Sequence, residues 1–338
     1  MKTAFFEITP SEKETLKARK DLGEPLFFSE EMHKVSPVKF RDAEIVSVFV
    51  YSQLTAEVLK KCPRLKFVST RSTGYDHVDL EYCRKKKIVV SNVPHYGENT
   101  VAEHTFALIL GLSRRTRQAY IKALRSDYSL DGLQGFDLQG KTLGVIGTGR
   151  IGLRVVRIAG GFGMNVLAYD AFPNSLIAET LNFKYVPLER LLSDSDIVTL
   201  HAPYTPQTHH LIHRENIGLM KKGAILINTA RGALVDTEAL TLALDKGWLS
   251  GAGLDVLEGE DLVKEERQIL SHQYSNEKLR TLLQTHILRN RDNVIITPHV
   301  AFNSRESFMR ILQTTMTNIL AFRAGRPENT VGLPPAKR

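Results

Sequence analysis

The hydrophobic positions of this chain fall into short blocks that are separated by longer, charged stretches. From residue 1 to about 98 the blocks are rich in branched and aromatic side chains, and segments of helical length lie between them. Short apolar runs that alternate with helices are typical of a parallel sheet covered by helices on both faces. The pattern therefore predicts an α/β unit whose strands lie at 4–6, 45–50, 67–69 and 88–90.

A second alternation of the same kind begins at Lys141 and predicts a doubly wound α/β domain. Its six expected strands lie at 143–146, 166–169, 196–200, 224–227, 252–256 and 294–296. A final helix, at about 304–322, follows the last of these strands, and the simplest packing returns it to the first unit. The sequence thus predicts a discontinuous domain formed by 1–98 and 299–338, with a second domain, 99–298, inserted into it.

The segment that joins the two alternations reads as a helix. From Val101 to about Arg125, apolar residues recur at helical spacing, as at Ala102, Phe106 and Leu110. We expect one long helix that bridges the two domains.

A glycine-rich turn follows the first strand of the second domain. Residues 147–152 read Gly-Thr-Gly-Arg-Ile-Gly, directly after a predicted strand and directly before a predicted helix. In this context Gly147 suits a tight turn, Gly149 the close approach of a pyrophosphate, and Gly152 close helix packing. Asp170 ends the next strand, where a carboxylate accepts hydrogen bonds from the ribose 2'-hydroxyl and repels a 2'-phosphate. The pattern predicts a dinucleotide site that prefers NAD to NADP.

Three polar residues with complementary chemistry follow other strands of this domain. Arg231 suits a carboxylate or a 2-oxo acid, His299 suits acid/base work, and Glu260 suits holding that histidine in its protonated form. Because the carboxyl ends of parallel strands share one edge, we expect the three to converge. Three alternatives to a catalytic role stay open at this point. Arg231 is a salt-bridge partner at the strand end, His299 is a helix-entry residue, or Glu258 takes the role given to Glu260.

Several motifs in the same order resemble those of the D-isomer-specific 2-hydroxyacid dehydrogenases over essentially the whole chain. The pattern at 93–96 (Val-Pro-His-Tyr) and at 101–104 (Val-Ala-Glu-His) is most similar to the D-lactate dehydrogenases of that family. The motifs that carry the family resemblance are 72–79, 147–152, 200–203, 227–232, 254–256 and 297–299.

This resemblance implies a flavodoxin-like substrate domain, an inserted Rossmann-type NAD domain, and reversible hydride transfer between NADH and a small 2-oxo acid, with pyruvate and D-lactate as the expected pair. It implies that Arg231 binds the carboxylate and carbonyl of the 2-oxo acid, that His299 exchanges the proton, and that Glu260 hydrogen-bonds to His299. Catalysis is expected in the cleft between the domains. The implied substrate contacts are backbone amides around Ser72, Thr73 and Gly74, and the side chain of Tyr96.

The resemblance also places the NAD cofactor along a series of loops. These positions include the glycine turn, the carboxylate at the adenine ribose and the turns after the following strands. The implied cofactor-binding residues are Gly147, Gly149, Arg150, Ile151, Gly152, Asp170, Ala202, Pro203, Thr208, Thr229, Ala230 and Asp255.

The net charge and the spacing of basic and metal-ligating residues bear on whether the protein binds nucleic acid or metal. The formal net charge is +8 and the isoelectric point is near 9.3, which raises the question of nucleic acid. The basic clusters at 85–87 and 114–117 have no interleaved aromatic residues, so we expect solvated faces and no nucleic-acid partner. Nearby cysteine or carboxylate ligands at suitable spacing do not accompany the histidines at 209–213, so no metal is expected there.

The remaining expectations concern location and assembly. Two cysteines, Cys62 and Cys83, are too few for a disulfide framework, and neither a signal peptide nor an apolar run of membrane length is visible. We expect a cytoplasmic protein without a membrane partner, and the resemblance suggests a homodimer. Relative to the family pattern, we expect residues 261–292 to be a charged, helical insertion.

Two other functions remain open. One is a reductase for glyoxylate, hydroxypyruvate or a bulkier 2-oxo acid, which a substrate panel separates from a lactate enzyme. The other is an NAD-sensing interaction protein similar to the dehydrogenase-like corepressors, which would turn over 2-oxo acids poorly.

Overall fold

A computed structural model describes residues 1–260 and 276–332 of the chain. It divides into two compact units. One comprises Met1–Tyr96 with the segment from Ser304 onward, and the other comprises Gly97–Asn303.

The first unit contains a six-stranded sheet. Its strands are β1 (Thr3–Phe5), β2 (Leu26–Phe27), β3 (Ile45–Val48), β4 (Phe67–Thr70), β5 (Val89–Ser91) and β13 (Thr330–Val331). The order is β13-β5-β4-β3-β1-β2, and all neighbours are parallel except β13, which is antiparallel to β5. The order 2-1-3-4-5 of the parallel strands is that of flavodoxin-like sheets. The helices of this unit are α1 (Pro10–Lys17), α2 (Ala56–Lys60), α3 (Leu80–Lys85) and α11 (Arg305–Arg323).

Both faces of this sheet are buried, as the near-continuous apolar strands require. Alternate residues of each strand join different clusters: Phe5 and Phe67 pack with Ile319 of α11, whereas Val46 and Val68 belong to the cluster on the opposite face. The return of α11 to this sheet agrees with the packing that the sequence predicts for the last helix.

The second unit contains a fully parallel, seven-stranded sheet. Its strands are β6 (Thr142–Ile146), β7 (Asn165–Tyr169), β8 (Lys184–Tyr185), β9 (Ile197–Leu200), β10 (Ala224–Asn228), β11 (Leu249–Leu254) and β12 (Val294–Ile296). The order β12-β11-β10-β9-β6-β7-β8 is the 3-2-1-4-5-6 arrangement of a dinucleotide-binding sheet with one further strand. The chain order reverses between β6 and β9, so a crevice for a ligand is expected beyond the ends of those two strands. The helices are α4 (Glu98–Ser113), α5 (Thr116–Leu124), α6 (Arg150–Gly161), α7 (Ser175–Leu181), α8 (Leu188–Asp194), α9 (Thr237–Asp245) and α10 (Asn276–Arg289).

The prediction of one long helix from Val101 to about Arg125 is wrong. The structure has two helices, α4 and α5, with Arg115 in the left-handed backbone region between them (φ 48°). The carbonyl of Ser113 accepts its hydrogen bond from the amide of Phe136 at 2.9 Å, so the returning chain takes the acceptor that a continuing helix needs. The sequence does not predict the three strands β2, β8 and β13, which have two residues each.

Helix α10 begins inside the charged insertion at 261–292, and the first part of that insertion, 261–275, lies outside the described residues. Over the described ranges, no helix is long and apolar enough to cross a membrane.

Candidate active site

The glycine turn between β6 and α6 has the geometry of an anion-binding loop. Gly147 has φ +93°, and a Cβ there would lie 2.7 Å from the amide nitrogen of Ala202, which follows β9. A Cβ on Gly152 would lie 2.0 Å from the carbonyl oxygen of Gly147, whereas one on Gly149 would meet nothing within 4 Å. Helix α6 has no side-chain cap, and the amides of Gly149 to Gly152 donate to no acceptor among the described residues. Free amides at a helix N-terminus bind phosphate groups, so the turn fits a dinucleotide pyrophosphate.

Asp170 lies one residue beyond β7 and folds back against this turn. Its Oδ2 accepts hydrogen bonds from the amide (2.6 Å) and hydroxyl (2.9 Å) of Thr148, and its Oδ1 accepts one from the amide of Phe172 at 2.9 Å. Partial burial opposes the charge, but the hydrogen bonds from Phe172 and Thr148 hold the pKa of Asp170 below its ordinary value. A charged carboxylate therefore borders the expected ribose position.

The other predicted cofactor residues lie in loops at the same sheet edge. Arg150 is exposed, with Nη1 3.9 Å from the carboxylate of Glu98, and Ile151 continues the first turn of α6. The hydroxyl of Thr208 donates to the carbonyl of Pro203 at 2.7 Å, and that of Thr229 pairs with the hydroxyl of Thr105 at 3.0 Å. Thr208 and Thr229 thus fix their own loops, which leaves backbone groups to face a ligand.

Arg231 follows β10 and is half-buried. Its Nη1 donates to the carbonyl of Ala230 at 2.7 Å, and no described carboxylate forms an ion pair with it. A guanidinium has five N–H donors, so most of its hydrogen-bonding capacity is left for another group.

His299 and Glu260 form a direct pair. Nδ1 of His299 lies 3.0 Å from Oε2 of Glu260, whose Oε1 accepts a hydrogen bond from the amide of Leu257 at 3.0 Å. His299 itself has a left-handed backbone (φ 53°), an uncommon conformation for a residue other than glycine. The competing acid, Glu258, lies 2.7 Å from Nε2 of His210 and accepts a hydrogen bond from Thr237 instead. Of the two glutamates, Glu260 is the one beside His299.

The segments that carry Arg231 and Glu260 touch through Gly232. A Cβ on Gly232 would lie 2.1 Å from the carbonyl carbon of Leu257 and 2.4 Å from the amide nitrogen of Glu258. Only glycine permits this approach of two backbones. The two turns therefore have a fixed separation.

Asp255 is buried and anchors the turn that carries His299. Its Oδ1 accepts hydrogen bonds from the hydroxyl of Thr297 (2.5 Å) and the amide of Val300 (2.9 Å), and its Oδ2 accepts one from the amide of Ala301 (2.9 Å). Burial alone would raise the pKa of Asp255, but the nearby imidazole of His104 and the hydrogen bonds from Thr297, Ala301 and Val300 hold it below its ordinary value. The resemblance implies that Asp255 binds the cofactor, and in the structure its carboxylate oxygens hold this turn.

The predicted substrate residues lie in the other unit, at the carboxyl end of β4 and beyond β5. The hydroxyl of Ser72 donates to the carbonyl of Gly74 at 2.6 Å, and that of Thr73 donates to the carbonyl of Val93 at 2.9 Å. The amides of residues 72–74 donate to no acceptor among the described residues, so they present three free donors. The carbonyl of Tyr96 accepts a hydrogen bond from Arg310 at 2.8 Å.

Three comparisons with known proteins bear on this site. A profile of the D-isomer specific 2-hydroxyacid dehydrogenase NAD-binding domain matches residues 106–301. The chain belongs to the D-isomer specific 2-hydroxyacid dehydrogenase family. It is 39% identical to a 2-hydroxyacid dehydrogenase homolog of Haemophilus influenzae over 86% of each chain, and 36% identical to a glyoxylate reductase of Korarchaeum cryptofilum over 88% of this chain and 85% of that one. It also superposes on a D-lactate dehydrogenase of Aquifex aeolicus complexed with NAD and lactic acid, with a TM-score of 0.85, 40% identity and coverage of 98% and 99% of the two chains.

These findings confirm the family resemblance and the fold class of two parallel-sheet α/β domains, one of them a Rossmann domain. They also confirm NAD as the cofactor of this 2-hydroxyacid dehydrogenase. The free amides of the glycine turn and the charged Asp170 are the residues that fit it.

Sequence reasoning missed three contributors to the site: His104, Gly232, and the pairing of Glu258 with His210. Gly232 had a visible signal, because it directly follows Arg231, but its neighbour at 257–258 is distant in sequence. The histidines at 209 and 210 stack with ring centroids 3.9 Å apart, and among the described residues no group of three or more metal-ligating side chains occurs.

Proposed function

We propose that this oxidoreductase catalyses the reversible reduction of pyruvate to D-lactate. The observation that carries the proposal is the 3.0 Å pair of His299 and Glu260, on the same sheet edge as the guanidinium of Arg231 that no described carboxylate engages. An acid/base histidine and a carboxylate-binding arginine are what reduction of a 2-oxo acid requires.

The chemistry follows from the donors and acceptors. The ionised Glu260 carboxylate only accepts, so His299 must carry a hydrogen on Nδ1, and Nε2 is the atom that holds the proton for the substrate oxygen. Arg231 can bind the substrate carboxylate with two parallel hydrogen bonds and polarise the carbonyl. The bound nicotinamide supplies the hydride. In the oxidative direction, neutral His299 accepts the proton of the hydroxyl group.

Pyruvate is favoured as substrate by the likeness to the Aquifex aeolicus enzyme with lactic acid. The Korarchaeum cryptofilum glyoxylate reductase is similar at nearly the same identity, so glyoxylate is the competing substrate. The decisive assay is NADH oxidation with pyruvate, glyoxylate, hydroxypyruvate, phenylpyruvate and 2-oxoisocaproate, followed by chiral analysis of the product. The highest kcat/KM with pyruvate and D-lactate as product supports the proposal. A higher kcat/KM for another acid, or L-lactate, refutes it.

We also propose a homodimer in which a second copy covers the segment at 116–130. Helix α5 has no buried residue, and four large apolar side chains of this segment are exposed: Tyr120, Leu124, Tyr128 and Leu130. Such a cluster is typical of an interface. Light scattering of the full chain and of Tyr120→Glu with Leu124→Glu tests it. A monomeric parent contradicts the dimer.

A reducing compartment, which we propose to be the cytoplasm, suits two free and buried thiols. Burial raises the pKa of Cys62 to about 12 and that of Cys83 to about 11.

A further inference from the structure

Helix α4 places two consecutive side chains against the ends of the strands that carry the reaction. The hydroxyl of Thr105 lies 3.0 Å from that of Thr229, two residues before Arg231. The neighbouring side chain, His104, points at the turn after β12: its Nε2 lies 3.0 Å from Oγ1 of Thr297 and 3.5 Å from Oδ1 of Asp255.

The proton positions in this group follow from the partners. Thr297 has a single hydroxyl hydrogen, and the carboxylate of Asp255, 2.5 Å away, can only accept it. Oγ1 of Thr297 is therefore the acceptor toward His104, and Nε2 of His104 carries the hydrogen. The result is a directed chain from His104 through Thr297 to Asp255.

We infer that His104 is a positioning residue for His299, acting through Thr297 and Asp255, and this inference rests on the proposed function. The carboxylate of Asp255 binds the amides of Val300 and Ala301, and its backbone carbonyl accepts the amide of His299 at 2.8 Å. The left-handed backbone of His299 costs conformational energy, so the turn needs such external restraint.

A role limited to helix packing would need only an apolar side chain of this size at 104. His104 lies on the face of α4 that is otherwise occupied by apolar or small residues such as Val101 and Leu108, yet its nitrogen reaches a charged, buried acceptor. The N–H of His104, 3.5 Å from Oδ1, contributes to the low pKa of Asp255, so loss of this donor should ease protonation of that carboxylate. Within the described ranges, the other titratable groups in contact at this turn are His299 and Glu260.

The test compares three variants of the full chain. His104→Phe removes the donor and keeps a planar ring, His104→Gln restores an N–H near the position of Nε2, and Glu103→Gln, on the exposed face of the same helix, is the matched control. For His104→Phe we expect kcat for 2-oxo acid reduction to fall about tenfold with a small change in the KM for NADH, and the acid limb of the pH profile to move to higher pH. His104→Gln should recover most of the lost kcat and reverse most of the shift of the acid limb. Glu103→Gln should match the parent in kcat and pH profile.

A second readout needs no turnover. In amide hydrogen exchange, Val300 and Ala301 should exchange faster in His104→Phe than in the parent or in Glu103→Gln. If His104→Phe does not fold, Thr297→Val breaks the same chain and should give the same exchange and the same limb shift.

Unchanged exchange at Val300 and Ala301 in the folded variant that breaks the chain overturns the inference. So does a His104→Gln variant that is as impaired as His104→Phe. If the parent reduces no 2-oxo acid, the proposed function fails, while the exchange result still decides whether His104 holds the turn.

Discussion

Arg71 and Arg231 each follow a buried parallel strand, but their surroundings differ. Arg71, after β4, is 1% exposed and donates to the carbonyls of Phe6 (2.7 Å) and Glu7 (2.9 Å) and to the hydroxyl of Ser47. Burial lowers the pKa of Arg71, and the carboxylates of Glu12 and Glu7 oppose that effect. Arg231, after β10, is half-buried and donates only to the carbonyl of Ala230 among described residues.

The acceptors around a charge at a strand end decide its role. Where the surrounding chain supplies the acceptors, as for Arg71, the charge holds loops together. Where it supplies few, as for Arg231, the charge is available to a substrate. Glu258 and Glu260 differ from each other in a similar way. Glu258 binds His210 and Thr237, whereas Glu260 pairs with the half-exposed His299.

The largest effect is expected at Arg231. Arg231→Gln removes the charge and the paired donors, so kcat/KM for pyruvate should fall by roughly 10³-fold or more, while NADH binding and thermal stability persist. Steady-state kinetics and NADH titration measure the two effects. Arg157→Gln, on the exposed surface of α6, is the control and should match the parent. An Arg231→Gln variant with the kcat/KM of the parent would show that Arg231 does not bind the substrate.

Arg71→Met should act on stability instead. It leaves the Phe6 and Glu7 carbonyls and the Glu12 carboxylate without their partner, so the free energy of unfolding should fall by about 3 kcal/mol. Urea unfolding measures the loss, and kcat of the folded fraction should stay near the parent value. A stable Arg71→Met protein without activity would mean that Arg71 acts on the substrate.

The two glutamates should differ in their effect on turnover. Glu260→Gln removes the charged acceptor that orients His299 through Nδ1, so kcat for pyruvate reduction should fall about tenfold to 100-fold. Glu258→Gln should leave kcat near the parent value, because Glu258 pairs with His210 and Thr237. If Glu258→Gln lowers kcat in steady-state assays and Glu260→Gln does not, the two roles are reversed.

The smallest effect concerns histidines that pair with hydroxyls. His77 bonds to Thr70 at 3.1 Å and His201 to Thr199 at 2.9 Å, and burial lowers the pKa of His77 to about 4 and that of His201 to about 3 from an ordinary 6.5. Below pH 6.5 these two histidines bind protons in the unfolded chain, whereas in the folded chain they stay neutral. Stability should therefore fall with pH, by about 1 kcal/mol per histidine between pH 6.5 and 5.5.

Urea unfolding at pH 6.5 and at pH 5.5 measures this loss of stability. His201→Gln should remove one histidine's share of the pH dependence. An unchanged dependence in that variant would contradict the burial argument.

The sequence predicted those parts of the molecule that depend on local pattern. Buried parallel strands are continuous apolar runs, and the glycine turn requires its residues at fixed spacing, so both were visible. The break at Arg115 was not, because it depends on the amide of Phe136, which reaches Ser113 from a later segment. The strands β2, β8 and β13, with two residues each, are too short to leave a periodic signal.

The site shows the same limit. Arg231, Glu260 and His299 stood out by residue type and position after strands. Residue type alone left Glu258 and Glu260 as alternatives, and the resemblance assigned the role to Glu260. The physical reason needs the fold, since His210, the partner of Glu258, is distant in sequence. The resemblance points to the segment at 101–104, but the hydrogen bond from His104 to Thr297 joins residues 193 positions apart and leaves no local signal in the sequence.

The contact at Gly232 couples two segments of the chain, the turn after β10 and the turn after β11. Because a Cβ at that position would overlap the backbone of Leu257 and Glu258, the turns after β10 and β11 can change only together. Chimeras that take one turn from this chain and the other from a relative are expected to lose activity at this junction, whereas crossovers that transfer 228–260 as one block keep it intact. Laboratory evolution of substrate preference is best directed at surrounding loops.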